Sequence, residues 1–539
     1  MLKSIFAGGR KPIDTFGKDP TRDAVCHMRK DRLEQKGIYH RRMAADLDPA
    51  SSSFVDDITW NDMDMDAVFL RINHTGSFIG EQVLYHRLHC INTADGQYDR
   101  LERMAGTFSR DHVRRNKVWK KLRGIGKKDS AYYMTELMEC FDPYSNFQML
   151  FFRLLQLMLV ISIAGLILTA GQIFKSLLIV TICMNLAVYM FEKRRTEMMQ
   201  ECLEQICAII EICDSLRKKE LLPSEWIDPD TLDAMKTLRG LRFCAGRFIS
   251  KKLAVGIGLE GILSDYMLGI TLWDLTFYNI IAGMISGNKA AIMRLYDFLG
   301  EIDMSISVAS YRKSLKEYCI PVFAEGNTIE THDLVHPLVI SPVANFIVLD
   351  HHSFLMGANA SGKSTFLKAL SVNMILAQTI HTCSAGSFIS PRMRVMTSVA
   401  VRDDILSGES YYVREIRYLK RMIDAAADGR PVFCAVDEIL KGTNKRERLA
   451  ASEAVLKYLS DKNCIIIVAT HDHELIDRME GKFSCYHFKC ILSDDGVQFD
   501  YRIHKGKGGE TNAVALLKIF GFPRDVVEQA NMRLEEVAL

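Results

Sequence analysis

The spacing of apolar residues changes along this chain, and each change predicts a different kind of element. Up to about residue 320 apolar positions recur at helical spacing, as in Val83-Leu84-Tyr85-His86-Arg87-Leu88 and Met293-Arg294-Leu295-Tyr296-Asp297-Phe298-Leu299; this predicts helices. From residue 330 onward short apolar runs alternate with helical stretches. Val432–Val436 and Cys464–Ala469 are uninterrupted and of strand length, the pattern of parallel strands covered on both faces. A third pattern interrupts the helical part. No charge occurs from Leu154 to Phe174, and after Lys175 none occurs from Ser176 to Phe191. As helices these runs would measure about 31 Å and about 24 Å, against a bilayer core of ~30 Å. Gly171-Gln172 offers a turn between them, Lys175 can snorkel, and Arg153 with Lys193, Arg194 and Arg195 marks the other side. A transmembrane hairpin with both ends in the cytoplasm is the expectation. A buried hairpin in a soluble protein is the alternative, favoured by Gln156, Asn185 and the short second run.

These patterns divide the chain into a polar segment at 1–53 closed by Ser51-Ser52-Ser53, a helical region at 54–145, the hairpin at 146–195, a second helical region at 196–328 and an α/β domain at 329–539. Length agrees, since 539 residues suggest three or four domains. The net charge of +2 recruits no polyanion globally, so any such contact must be local. One candidate is the basic stretch Arg110, Arg114, Arg115, Lys117, Lys120, Lys121, Arg123, Lys127 and Lys128, suited to DNA phosphates, to anionic lipid or simply to solvent. The 14 cysteines form no C-x-x-C pair and read as reduced thiols rather than a zinc site or disulfide framework. The first residues lack the apolar core of a signal peptide.

Chemistry concentrates in the last third. Gly357-Ala358-Asn359-Ala360-Ser361-Gly362-Lys363-Ser364 fits G-x-x-x-x-G-K-[ST], follows the strand-like Phe354-Leu355-Met356 and leads through Thr365 into an apolar helix. In that setting backbone N–H groups cradle phosphates, Lys363 reaches the β/γ-phosphates and the Ser364 hydroxyl ligates Mg²⁺. Asp437 and Glu438 follow the Val432–Val436 run: the first suits Mg²⁺ through its water shell, the second the proton of an attacking water. His471 ends the next apolar run, where it can hydrogen-bond a γ-phosphate.

The loop, Asp403-Asp-Ile-Leu-Ser-Gly-Glu-Ser-Tyr-Tyr-Val-Arg-Glu415, Asp437-Glu-Ile-Leu-Lys-Gly-Thr443 and Ala469-Thr-His471 occur in that order. Together with His336-Pro337, Gln378 and the tail Lys518–Val527, they resemble the ATPase domain of the MutS mismatch-repair family, within the ABC ATPase class. Phe69–Gly80 is more loosely similar to the start of that family's core domain. The resemblance implies an α/β P-loop (ABC-type) domain over about 330–539 behind a mainly α-helical core and lever region, here interrupted by the hairpin. It also implies roles: Ser410 in a signature loop reaching the γ-phosphate of the opposite subunit, Gln378 as a loop residue sensing Mg²⁺ and the attacking water, and His336 and Pro337 near the adenine. ATP and Mg²⁺ as cofactors and a homodimer paired through the terminal helices follow from it. The chain departs from the family in having no Phe-x-Glu within residues 1–150, in the hairpin, in Lys445-Arg-Glu-Arg448 where Asp-Gly is usual, and in Glu510-Thr-Asn512. Two functions stay open: a membrane-anchored dimeric ATPase acting on double-stranded DNA, mismatched or structured, and a membrane mechanoenzyme acting on a lipid or protein partner.

Overall fold

The computed structural model describes residues 16–19, 33–45, 53–91, 95–245, 266–358, 361–399, 411–493, 496–508 and 521–538. In the helical part, Lys289–Ser314 is the central element and is covered along most of its length. Its Asp303 is fully buried and accepts from the backbone N–H groups of Gly76 and Ser77, each at 2.8 Å, and from the Ser77 hydroxyl at 2.6 Å. A Cβ on Gly80 would overlap that carboxylate, 2.3 Å from its oxygen. The His-Thr-Gly-Ser-Phe-Ile-Gly stretch is therefore a socket for one buried acid on a remote helix, and three donors make the burial tolerable.

The hairpin consists of Asn146–Thr169 and Gln172–Lys218. Ser145 opens the first helix with a capping box shared with Gln148. Ala170 in the left-handed region and Gly171 make the turn, so the helix starts earlier than the uncharged run and takes in Arg153. Only 22% and 17% of the most apolar windows of the two helices are buried within the molecule. Phe147, Ile167, Leu168, Ile173 and Phe191 point outward, exposed by 77% or more. Gln156 and Asn185 have partners inside the protein: the Gln156 amide donates to the Thr271 and Leu272 carbonyls and the Asn185 amide to the Ile270 carbonyl. The second helix runs 47 residues, about 70 Å at ~1.5 Å per residue. Beyond the hairpin its Met199, Leu203, Ile206, Ile210 and Cys213 follow a helical stripe into the core. The exposed apolar arm and the buried core are thus joined by one continuous helix.

The C-terminal part is built on a six-stranded sheet in the order Arg394–Ser398, Val432–Asp437, Cys464–Ala469, His352–Met356, Phe483–Ser493, Gly496–Lys505. The first five are parallel and the last is an antiparallel edge. Alternate residues face two cores, as the apolar runs predict: Phe433, Ala435, Ile465 and Ile467 face the helical part, and Val432, Cys434, Cys464 and Ile466 the other side. The strand His352–Met356 leads into the helix Lys363–Ile380, and the next strand of this sheet in sequence, Arg394–Ser398, lies on its far edge. That reversal beside a central strand is where open α/β sheets bind ligands. A smaller four-stranded sheet packs alongside.

Of the basic stretch, Arg115 and Lys127 serve the fold. Arg115 is buried over the Phe16 ring and donates to the Phe108 carbonyl, and Lys127 pairs with the buried Glu81 at 2.6 Å. Arg110, Lys117, Lys120, Arg123 and Lys128 remain exposed.

Candidate nucleotide site

The loop Gly357–Ser364 joins the end of a central strand to an 18-residue helix beginning at Lys363. Asn359 and Ala360 lie outside the described residues. Gly357 (φ 141°) and Gly362 (φ 109°) occupy backbone conformations that only glycine adopts freely. A side chain on Gly357 would also approach Ser361 Oγ to 2.8 Å and the Phe488 carbonyl to 3.2 Å. Lys363 folds over this loop, its amine donating to the Gly357 carbonyl at 2.5 Å and the Ala358 carbonyl at 3.0 Å. Burial pushes its pKa down, with Lys441 adding to the effect and Asp437 and Glu438 opposing it. Thr365 is exposed on the first turn.

The Ser364 hydroxyl donates to Asp437 Oδ2, at the tip of the neighbouring strand but one. Residue 438 then turns into the left-handed region (φ 59°), its N–H donating to the Ala469 carbonyl at 2.8 Å. For a non-glycine residue this is a strained conformation, of the kind found where a side chain must be aimed. Glu438 Oε1 meets His471 Nδ1 at 2.9 Å, and Oε2 lies 3.3 Å from Lys441 Nζ. Burial alone would raise the Glu438 pKa, but Lys441 and His471 outweigh it and hold the carboxyl below its usual value. Glu438 is accordingly an ionised, anchored carboxylate at neutral pH.

The chemistry of these groups fits a magnesium nucleotide. Ser364 and Asp437 present hard oxygen donors side by side, as Mg²⁺ requires. Ser361 Oγ, within the loop, is buried with no hydrogen-bond partner among the described residues. His336 and Pro337 are buried near the first turns of the same helix; burial first, and then Lys368, lower His336 to a pKa of about 4.

One expectation changes, and another falls outside what the structure describes. Gln378 is not on a loop: it is fully buried on the helix Lys363–Ile380, its amide nitrogen donating to the Met374 and Met393 carbonyls and its oxygen accepting from Met393 N–H. Fifteen helical residues separate it from Lys363, about 22 Å at ~1.5 Å each, so it holds two elements together and cannot sense Mg²⁺. Ser410 lies outside the described residues.

Other residues of the quoted stretches acquire partners that the sequence did not indicate. Glu415, buried on the helix Tyr411–Ala427, accepts the Lys441 backbone N–H at 3.0 Å and so grips the turn that carries Lys441. Arg448 pairs with Asp472 at 2.8 Å and Lys445 with Glu474 at 3.1 Å. The unusual Lys445–Arg448 stretch thereby ties the helix Lys445–Ser460 to the segment following His471.

The far end of the helix Lys363–Ile380 is gripped by the helical part. Arg87 donates to the Thr379 carbonyl, Tyr98 to the Gln378 carbonyl, and Arg312 to the His381 carbonyl while pairing with Glu102. Lys368 nearer the loop pairs with Asp64 at 2.6 Å.

The family description MutS domain V matches residues 353–538. The chain is similar to the DNA mismatch repair protein MutS of Natronomonas pharaonis, 30% identical over 43% of this chain and 28% of that protein. It is similar to the DNA mismatch repair protein MutS 2 of Halobacterium salinarum at 30% over 44% of this chain and 29% of that one. The MutS of Fusobacterium nucleatum matches at 26% identity over 47% and 29% of the two chains. The matches span less than a third of these relatives' lengths. Over residues 353–538 the chain thus matches the family description MutS domain V, and through this α/β nucleotide domain it is similar to MutS proteins.

Proposed function

We propose that the chain hydrolyses ATP, as a homodimer, and uses the cycle to act on DNA while its hairpin holds it at a membrane. The observation that carries the ATPase reading is the constellation at the strand ends: Lys363 over the loop, Ser364 on Asp437, and Glu438 fixed by His471 and Lys441. Lys363 would exchange its two loop carbonyls for phosphate oxygens. A magnesium ion held by Ser364 and Asp437 would neutralise phosphate charge. Glu438 would take the proton of the attacking water, and His471, hydrogen-bonded to it, would hold that carboxylate in line and contact the γ-phosphate. His336 and Pro337 would flank the adenine, and Ser410 of one copy would complete the site of the other. ATP bridging two copies would favour the closed dimer, and its loss would release it.

DNA is the first ligand to test because the relatives are named DNA mismatch repair proteins. Arg110, Lys117, Lys120, Arg123 and Lys128 are exposed cations available for phosphates. The reading without DNA rests on the exposed apolar hairpin and on the single helix that joins it to the core: closure of the dimer would then tilt the hairpin against a lipid or protein partner. Both readings keep the chain's five-part division, with 146–195 as the anchor.

The experiment is ATP turnover of detergent-purified full chain at near-physiological salt, alone and with homoduplex, mismatched and branched DNA. Stimulation by one of these establishes DNA coupling and ranks the substrates. Turnover indifferent to all three, yet changed by reconstitution into liposomes, establishes the membrane reading.

A further inference from the structure

Away from the nucleotide domain, four short elements converge on a cluster of imidazoles and one thiol. The helix Leu33–Ala45 brings His40, the helix Phe78–His89 brings His86 and His89, and Cys90 begins the two-residue strand that pairs with Ser53–Phe54. His40 Nδ1 stands 3.0 Å from His86 Nδ1. Cys90 Sγ lies 3.6 Å from His86 Nδ1 and 3.5 Å from its Nε2. One ligand atom from each of His40, His86 and Cys90 falls within 4.8 Å of the other two.

The structure assigns a metal site to His40, His86 and Cys90, and the ion that fits it is Zn²⁺. Zinc bonds of ~2.0–2.1 Å to nitrogen and ~2.3 Å to sulfur, at tetrahedral angles, put two nitrogens about 3.3 Å apart and a nitrogen and sulfur about 3.6 Å apart. The two edges at His86, 3.0 Å and 3.6 Å, lie close to these values, the third is within 4.8 Å, and a turn of the His86 ring about its Cβ–Cγ bond aims Nδ1 at the shared centre. A simple imidazole–imidazole hydrogen bond accounts for the first spacing alone and gives the thiol no role. His86 and Cys90 are one helical turn apart, so a single helix end presents both.

The surroundings prepare the ligands. Burial lowers His86 to about 3 and also lowers His40, so both are neutral at cytoplasmic pH, the form that binds metal. Burial raises the Cys90 thiol to about 12, and binding would release its proton to solvent, leaving thiolate on the ion. His89 is a wall rather than a ligand: its Nδ1 faces the Tyr85 carbonyl at 2.8 Å and its ring stacks on Trp60 at 3.6 Å. Among charged neighbours, Asp57 favours a cation near His40, and Arg41 and Arg87 oppose one. Three protein ligands, all half-buried, leave the fourth position open to water. The ion would staple the helix Leu33–Ala45 to the helical core, a role independent of the ATPase reading.

The test uses the full chain purified without chelator. Expected are about one zinc per chain by elemental analysis, and a thiolate-to-cobalt charge-transfer band when Co²⁺ replaces it. Cys90→Ser should abolish that band, and His86→Ala and His40→Ala should each weaken Co²⁺ binding by at least ~10-fold. Cys90→Ser is nearly isosteric, so it decides the matter even where a histidine variant unfolds. Chain free of metal that takes up no Co²⁺, or a band unchanged in Cys90→Ser, overturns the assignment; the second result would place the metal at other cysteines.

Discussion

At the nucleotide site the charged and hydroxyl groups of the proposed chemistry have named partners: Ser364 with Asp437, Glu438 with His471 and Lys441, Lys363 with the loop carbonyls. Along the hairpin the reverse holds, with Phe147, Ile167, Leu168, Ile173 and Phe191 facing outward and touching little of the protein. A site of charges in a partly buried cleft must be self-consistent, because an unpaired charge there is costly. An apolar helix arm has no such internal test, and what completes it must come from outside. The first region therefore predicts its own chemistry, whereas the second predicts only that it has a partner.

The sharpest way to break this contrast is to remove a group from each side. Lys363→Ala is expected to reduce ATP turnover by roughly 100-fold or more, the scale of losing a preorganised phosphate contact, with nucleotide binding measured in parallel. Retained turnover would mean that the loop is not the site. On the hairpin, Val160 is 62% exposed in mid-helix. Val160→Lys should cost about 3 kcal/mol of insertion if lipid is the missing partner, moving the chain out of the floating fraction in a liposome flotation assay. An unchanged distribution would remove the membrane from the account. Glu438→Gln should slow hydrolysis more than ~10-fold while ATP binding persists, separating the general base from the groups that merely hold nucleotide.

The same contrast explains what was legible in the sequence. Glycines at 357 and 362, Lys363, Ser364, Asp437 and Glu438 are fixed by local backbone geometry and by ligand chemistry, and both are written in short motifs. The apolar runs Val432–Val436 and Cys464–Ala469 became central strands for the same local reason. Gln378 misled because the resemblance implied a loop there, whereas a continuous helix carries it far from the phosphate loop. Arg115 and Lys127 misled because charge counts are blind to burial. The contacts of Glu415 with Lys441 and of Arg448 with Asp472, and the His40–His86–Cys90 cluster, were invisible because each joins residues that meet only in three dimensions. The hairpin's helices were readable from composition, but Gln156 and Asn185, which counted against a membrane span, are paired to carbonyls of residues 270–272. That removes much of their cost in an apolar setting.

The histidine cluster offers a milder test in which the helical part is the weak partner. Burial holds His86 and His89 at about 3 and lowers His40, against an ordinary imidazole near 6.5. Folded-state values below the unfolded value mean that the unfolded chain binds more protons as pH falls. Their contribution to stability is therefore complete above about 6.5 and is lost progressively between 6.5 and 3. Metal-stripped chain should melt at steadily lower temperature as pH drops from 7 to 5, a range in which the carboxylate pairs of the nucleotide domain are still ionised. His86→Gln, which cannot charge, should flatten that slope while leaving ATP turnover at pH 7 within about twofold. An unaltered slope would shift the acid sensitivity to other groups. Zinc-loaded chain should show a steeper loss over the same interval, since protons then compete with the ion as well as with the fold.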